Sequence, residues 1–128
     1  MAKVTNNLQW QDIGTDGTKY SLLEGKRDVA GTGFTYAFLI PRGFWDAPHW
    51  HTADARVVVL RGTLYLGYGE TFDHAKLEAY PAGSVVFVPA KAVHSDGSLE
   101  ETLIVGMAIA PWSTHYVDSS ILASAGTI

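Results

Sequence analysis

Between Phe34 and Ile109 the chain is a succession of short apolar runs, each cut off by glycine or proline, and no run carries the periodicity of an amphipathic helix. That cadence restricts the chain to an all-β sandwich or barrel. In Phe34–Ile40 the even positions are all bulky (Phe34, Tyr36, Phe38, Ile40), as expected of a strand with one face inward, and Pro41-Arg42-Gly43 ends it. Arg56–Leu60 carries a continuous β-branched run, expected to be a strand buried on both faces, and Gly62 is expected to turn the chain so that Thr63–Tyr68 returns as its hairpin partner. Gly83–Pro89 and Leu103–Ile109 complete the series, with one helical turn expected in Phe72–Leu77. Before Phe34, Trp10–Asp12 begins a strand, Gly14–Gly17 reads as a tight turn, Tyr20–Glu24 as a short strand and Glu24–Asp28 as a charged loop.

A chain of 128 residues with no cysteine is expected to form one domain over 1–128, its core about 20–117, with an N-terminal arm and a tail from Pro111 onward. Without thiols, histidine and carboxylate are the available metal ligands. A net charge of −4, with nine scattered basic residues, argues against a nucleic-acid surface and leaves small molecules as the expected partners. No basic start with an apolar core marks an export signal, and no apolar run approaches the ~20 residues that span a bilayer. The expectation is a soluble protein without membrane contact, cytoplasmic, or periplasmic or secreted if a signal has been removed.

Two of five histidines, His49 and His51, sit one residue apart between Gly43 and Gly62, and on a strand that spacing points both imidazoles to one face. A third, His94, follows the strand that ends at Pro89. Taken alone, a His-x-His pair is as compatible with ordinary partly buried residues as with metal ligands.

The wider spacing resembles that of the cupins. Their first motif runs Gly, five residues, His-x-His, three or four residues, Glu, six residues, Gly, and Gly43, His49, His51 and Gly62 match it. Their second runs Gly, five residues, Pro-x-Gly, two residues, His, three residues, Asn, and Gly83, Pro89 and His94 match it. The resemblance implies a double-stranded β-helix, the small jelly-roll barrel, holding one divalent metal ion on His49, His51 and His94. The departures matter as much: Ala55 stands where the family has its metal-binding glutamate, Lys91 replaces a glycine, and Ser98 replaces the asparagine. Asp54 is the nearest carboxylate to the vacancy, but on a regular strand it faces away from the histidines and is a ligand only if a bulge re-aims it. Three neutral imidazoles would leave the ion its full +2 charge and several open positions for water, O₂ or a bidentate substrate. Alternatively, loss of the glutamate marks weakened metal binding.

Cupins resembling this three-histidine pattern include thiol dioxygenases and dioxygenases that cleave β-diketones. The reading this favours is a metal-dependent enzyme acting on a small oxygenated molecule, an Fe²⁺ dioxygenase, with Zn²⁺, Mn²⁺, Ni²⁺ or Cu²⁺ as other imidazole-compatible ions and no organic cofactor. Two alternatives stay open: a redox-neutral Zn²⁺ or Mn²⁺ lyase, isomerase or hydrolase, and a non-catalytic metal- or ligand-binding cupin. If the resemblance extends to the flanking strands, the pocket is lined by Tyr36, Phe38, Ala55, Ile104, Gly106 and Ala108, with Gly106 and Ala108 leaving room beside the metal and the Tyr36 hydroxyl serving a substrate oxygen or a proton transfer. Plain core packing is the competing account of these residues. Trp45, Trp50 and Trp112 are expected to rim the mouth or to pack, His74 and His115 to lie in surface loops, and the outer sheet face to form a homodimer contact.

Overall fold

The computed structural model describes residues 8–13, 16–118 and 120, and among these there are eleven strands, one 3₁₀ turn at His74–Lys76 and no α-helix. The strands are β1 (Gln11–Asp12), β2 (Lys19–Gly25), β3 (Gly33–Ile40), β4 (Trp45–His51), β5 (Ala55–Arg61), β6 (Thr63–Tyr68), β7 (Glu78–Pro81), β8 (Val85–Val88), β9 (His94–Gly97), β10 (Thr102–Ile109) and β11 (Thr114–Tyr116). They form two antiparallel sheets, one of six strands in the order β1-β2-β3-β10-β5-β8 and one of five in the order β11-β4-β9-β6-β7. The arm at Met1–Asn7, part of the turn at Gly14–Gly17 and the chain beyond Ser120 lie outside the described residues.

The even positions of β3 face inward as their bulk requires: Phe34, Tyr36, Phe38 and Ile40 are all buried in one core with Val57, Val59, Val86, Val88 and Ile104. Each fully buried aliphatic or aromatic side chain here contributes roughly 1.5–3 kcal/mol relative to exposure. The β-branched run in β5 is not covered on both sides. Ala55, Val57 and Val59 point in, while Arg56 and Leu60 are exposed, so the strand alternates despite its uniform hydropathy. Val85, Phe87, Met107 and Ile109 are also exposed; with Arg56 and Leu60 they are the outward positions of β8, β5 and β10.

β5 and β6 are not a hairpin. β5 lies between β10 and β8 in the six-stranded sheet and β6 between β9 and β7 in the other, so the chain crosses from sheet to sheet at Arg61–Thr63. Gly62 makes this crossing at φ 79°, and a Cβ there would collide with the Thr102 side chain and the Glu101 carbonyl. Around it a buried polar knot closes one end of the barrel: Ser98 Oγ donates to the Thr63 carbonyl at 2.6 Å, and the Thr102 and Ser98 hydroxyls are 2.8 Å apart. Ser98 thus takes a structural place at the position where the cupin motif has asparagine.

The segment after Pro111 is not a simple tail. Thr114–Tyr116 pairs antiparallel with β4, setting Thr114 opposite His51 and Tyr116 opposite His49. His115 is exposed, as expected, but on this strand rather than in a loop, and its ring stacks on Trp50 at 4.3 Å. β7 and β9 carry too few apolar residues in alternation to announce themselves, and pairing with neighbours is what makes them strands.

Candidate metal centre

Three adjacent strands of the five-stranded sheet build the site, with β4 between β11 and β9. His49 lies directly opposite His94 across one ladder and opposite Tyr116 across the other. The ring centroids of His49 and His94 are 4.3 Å apart, those of His49 and His51 5.0 Å, and those of His51 and His94 5.2 Å. One ring nitrogen from each lies within 4.8 Å of the others, so the three form a group able to hold a metal ion.

Each ring is oriented from behind. His49 Nδ1 donates to the Ala47 carbonyl at 2.6 Å and His94 Nδ1 to the Ala92 carbonyl at 2.9 Å, while His51 Nδ1 is 2.9 Å from Thr114 Oγ1. A carbonyl can only accept, so both donating rings carry their proton on Nδ1 and turn an Nε2 lone pair toward the cavity, as a metal site requires. Burial, reinforced by the neighbouring imidazoles, pushes the His51 pKa down to about 2, and burial also lowers His94. These two rings are therefore neutral at physiological pH, the form in which an imidazole can bind a metal ion.

In the turn preceding His94, Lys91 occupies the position that is glycine in the cupin motif. Lys91 adopts φ 66° and its N–H donates to the His51 carbonyl at 2.8 Å, tying the turn to the end of β4. Asp54 does not face the centre: its carboxylate accepts from the Ala90 N–H at 2.7 Å and is exposed. Ala55 lines the cavity, fully buried opposite Val88.

Two carboxylates that the sequence reading passed over face the same space. Asp46 Oδ2 lies 3.7 Å from His49 Nε2, and Asp96 Oδ2 lies 3.9 Å from His49 Nε2 and 3.7 Å from His94 Nε2. Asp46, His49 and Asp96 form a second group compatible with a cation. Asp46 lies three positions before His49, an odd spacing that on a regular strand would put them on opposite faces; a register shift in β4 between them brings both inward. Asp96 had a legible signal, since His94-x-Asp96 has the same one-face spacing as His49-x-His51. The expectation of an ion facing only neutral ligands therefore changes, because two carboxylates stand within 4 Å of the imidazoles.

Burial, reinforced by Asp96 and opposed by His49, raises the Asp46 pKa to about 6. The Tyr116 hydroxyl donates to Asp46 Oδ1 at 2.7 Å, leaving Oδ2 toward His49. Tyr36 is raised by burial and by the Asp96 charge, so its hydroxyl stays protonated.

The cavity holds about 60 Å³ and its other walls are apolar, including Phe38, Ala55, Val57 and Ile104 together with Tyr36. Trp112 stacks on His51 at 4.3 Å and forms part of the wall, whereas Trp45 packs outside against His74, Phe72 and Tyr65. Gly106 and Ala108 are not in the wall. The space a side chain at Gly106 would need is filled by the Tyr36 ring, and Ala108 is buried in the core.

No protein-family model and no curated protein matches the sequence. Solved structures do share the fold. An RmlC-like cupin from Shewanella frigidimarina superposes with a TM-score of 0.65 at 14% identity, covering 93% of this chain and 94% of that one. The polyketide cyclase RemF from Streptomyces resistomycificus gives 0.72 at 18% identity over 91% and 85%. The DMSP lyase DddQ from Ruegeria pomeroyi gives 0.70 at 15% identity over 90% of this chain and 64% of that one. The fold is that of the cupins, a double-stranded β-helix that serves enzymes among its members. Among the described residues no helix is long and apolar enough to cross a membrane.

Proposed function

We propose that the protein is a metal-dependent enzyme that carries out redox-neutral acid–base chemistry, a lyase, isomerase or cyclase reaction, on a small oxygenated organic molecule. The observation that carries this reading is the meeting, in one apolar-walled cavity, of three oriented imidazoles with a carboxylate that keeps one oxygen free. A divalent ion on His49, His51 and His94 would supply a Lewis acid for a substrate carbonyl or hydroxyl. Asp46 supplies a general base. Tyr116 holds one carboxylate oxygen, and the other can take a proton from carbon or oxygen next to the polarised group. The Tyr36 hydroxyl stays protonated and can donate a hydrogen bond to a substrate oxygen. The apolar walls exclude water and accept a compact, mostly hydrocarbon body. The cupin-fold enzymes named above, a polyketide cyclase and a DMSP lyase, show that the fold accommodates such reactions elsewhere.

The test is anaerobic turnover. Protein loaded with Zn²⁺, Mn²⁺ or Fe²⁺ is incubated without O₂ in D₂O with 1,3-diketones, α-hydroxyketones and phenols. Metal-dependent deuterium exchange or product formation, abolished in Asp46→Asn, is the expected result.

The dioxygenase reading keeps one specific observation in its favour, the three-imidazole group. It replaces the redox-neutral reading if the iron-loaded protein consumes O₂ stoichiometrically with a diketone, thiol or phenol and is inert without it. Tight ligand binding with no turnover under any metal would point instead to the non-catalytic alternative.

A further inference from the structure

The geometry points to Asp96 as a fourth metal ligand, the carboxylate that replaces the glutamate missing at Ala55, so that the ion is held by His49, His51, His94 and Asp96. This inference rests on the metal-dependent reading above. Its first support is distance. Asp96 Oδ2 stands 3.9 Å from His49 Nε2 and 3.7 Å from His94 Nε2. These separations are too long for hydrogen bonds. Donor atoms bound at about 2.0–2.2 Å to one divalent ion lie roughly 3–4 Å from one another, and the observed spacings fall in that range.

The second support is the setting of the group. The Asp96 side chain is only 21% exposed and faces a cavity whose other walls are largely apolar. Asp46 has the Tyr116 hydroxyl on one of its oxygens. A charged carboxylate partly withdrawn from water is costly, and a cation removes that cost.

The third support is the sheet itself. Asp46 and Asp96 are direct partners across the β4–β9 ladder. Like charges in opposed positions destabilise a sheet, and here the pair lies one step from the His49–His94 pair whose lone pairs turn toward it. A divalent ion between the two rungs answers both features at once. Asp46, held by Tyr116, remains outside the ligand set and keeps its free oxygen for the substrate proton. With two carboxylates around a +2 ion the formal charge of the centre is zero, which favours a substrate that enters neutral and gives up a proton in place.

The experiment compares Zn²⁺ and Co²⁺ binding by the full chain and by D96N, D46N and the double variant D96N/A55E, using titration calorimetry and the visible absorption of bound Co²⁺. Wild type is expected to take up one equivalent. D96N should bind at least tenfold more weakly with an altered Co²⁺ spectrum, D46N should keep the wild-type spectrum, and D96N/A55E should recover affinity by supplying a carboxylate from the family position. Thermal unfolding of each metal-free variant confirms that it is folded. A wild-type protein that binds metal while D96N retains its affinity and spectrum overturns the ligand assignment alone, as does D46N weakening and altering the site as much as D96N. A wild-type protein that binds none of Mn²⁺, Fe²⁺, Co²⁺ and Zn²⁺ overturns the metal-dependent reading with it.

Discussion

The two sheets contribute opposite things to the cavity they enclose. From the six-stranded sheet come Tyr36, Phe38, Val57, Val88 and Ile104, a wall whose polar side-chain atom is the Tyr36 hydroxyl; the five-stranded sheet brings three imidazoles and two carboxylates into the same space beside Leu64 and Leu66. In the first wall, inward positions are filled by bulk, and stability follows from the area removed from water. In the second, each inward polar group needs a partner, so side chains are held by backbone carbonyls, Thr114 and Tyr116. The difference teaches that stability and chemistry are separable here by sheet. Ala55 illustrates it: at the β5 position where the cupin pattern has glutamate, this chain turns a methyl group to the cavity.

That separation can be broken by mutation. The largest expected effect is His49→Ala, which removes the ring at the middle of the site; metal affinity should fall by more than about a hundredfold, beyond the range for outer partners, with calorimetry as the readout. Ile40→Ala on the opposite wall should do the reverse, costing about 2–5 kcal/mol in urea unfolding while metal stoichiometry stays at wild-type level. If Ile40→Ala loses metal as readily as stability, the two walls are not separable. Thr114→Ala frees the His51 ring and should weaken metal binding by about 10–100-fold without changing stoichiometry.

The pH dependence of the metal-free protein sharpens the comparison, because the titrating cost falls on the five-stranded sheet. His51 is held near 2 in the folded chain against 6.5 for the free group, and His94 is also lowered, so their contributions to stability are present above pH 6.5 and are lost as pH falls below it. Each such histidine gives a slope on the order of 1.4 kcal/mol per pH unit. Asp46 acts with the opposite sign: raised to about 6 from 3.8, it disfavours the folded state above pH 6 and this penalty is relieved between pH 6 and 3.8. Chelator-treated protein should therefore lose urea stability from pH 6.5 to 4, and Asp46→Asn should lose it more steeply. The smallest effect is at the link between the sheets. Lys91→Gly relieves a side chain at φ 66° and should stabilise by about 1 kcal/mol; no gain would mean that the lysine is not strained there.

Much of this was legible in the chain. The alternation in Phe34–Ile40, the breakers at Gly43, Gly62 and Pro89, and the one-face spacing of His49 and His51 depend only on local geometry, so strands, turns and that pair of imidazoles could be placed without tertiary information, while His94 was joined to them only by the resemblance to the cupin spacing. The fate of the Arg56–Leu60 and Thr63–Tyr68 runs could not, because strand-to-strand pairing is a competition among distant segments, and a glycine that permits a hairpin equally permits a crossing between sheets. Asp46 escaped because a bulge reverses its parity, and Tyr116 because three residues of β11 become a strand only by pairing with β4. What the sequence alone determined, then, is an all-β chain with a histidine triad and no glutamate at position 55. Only the tertiary structure decided that Asp46 and Asp96 stand opposite each other beside the triad, since their meeting depends on a register set by the whole sheet rather than by either segment.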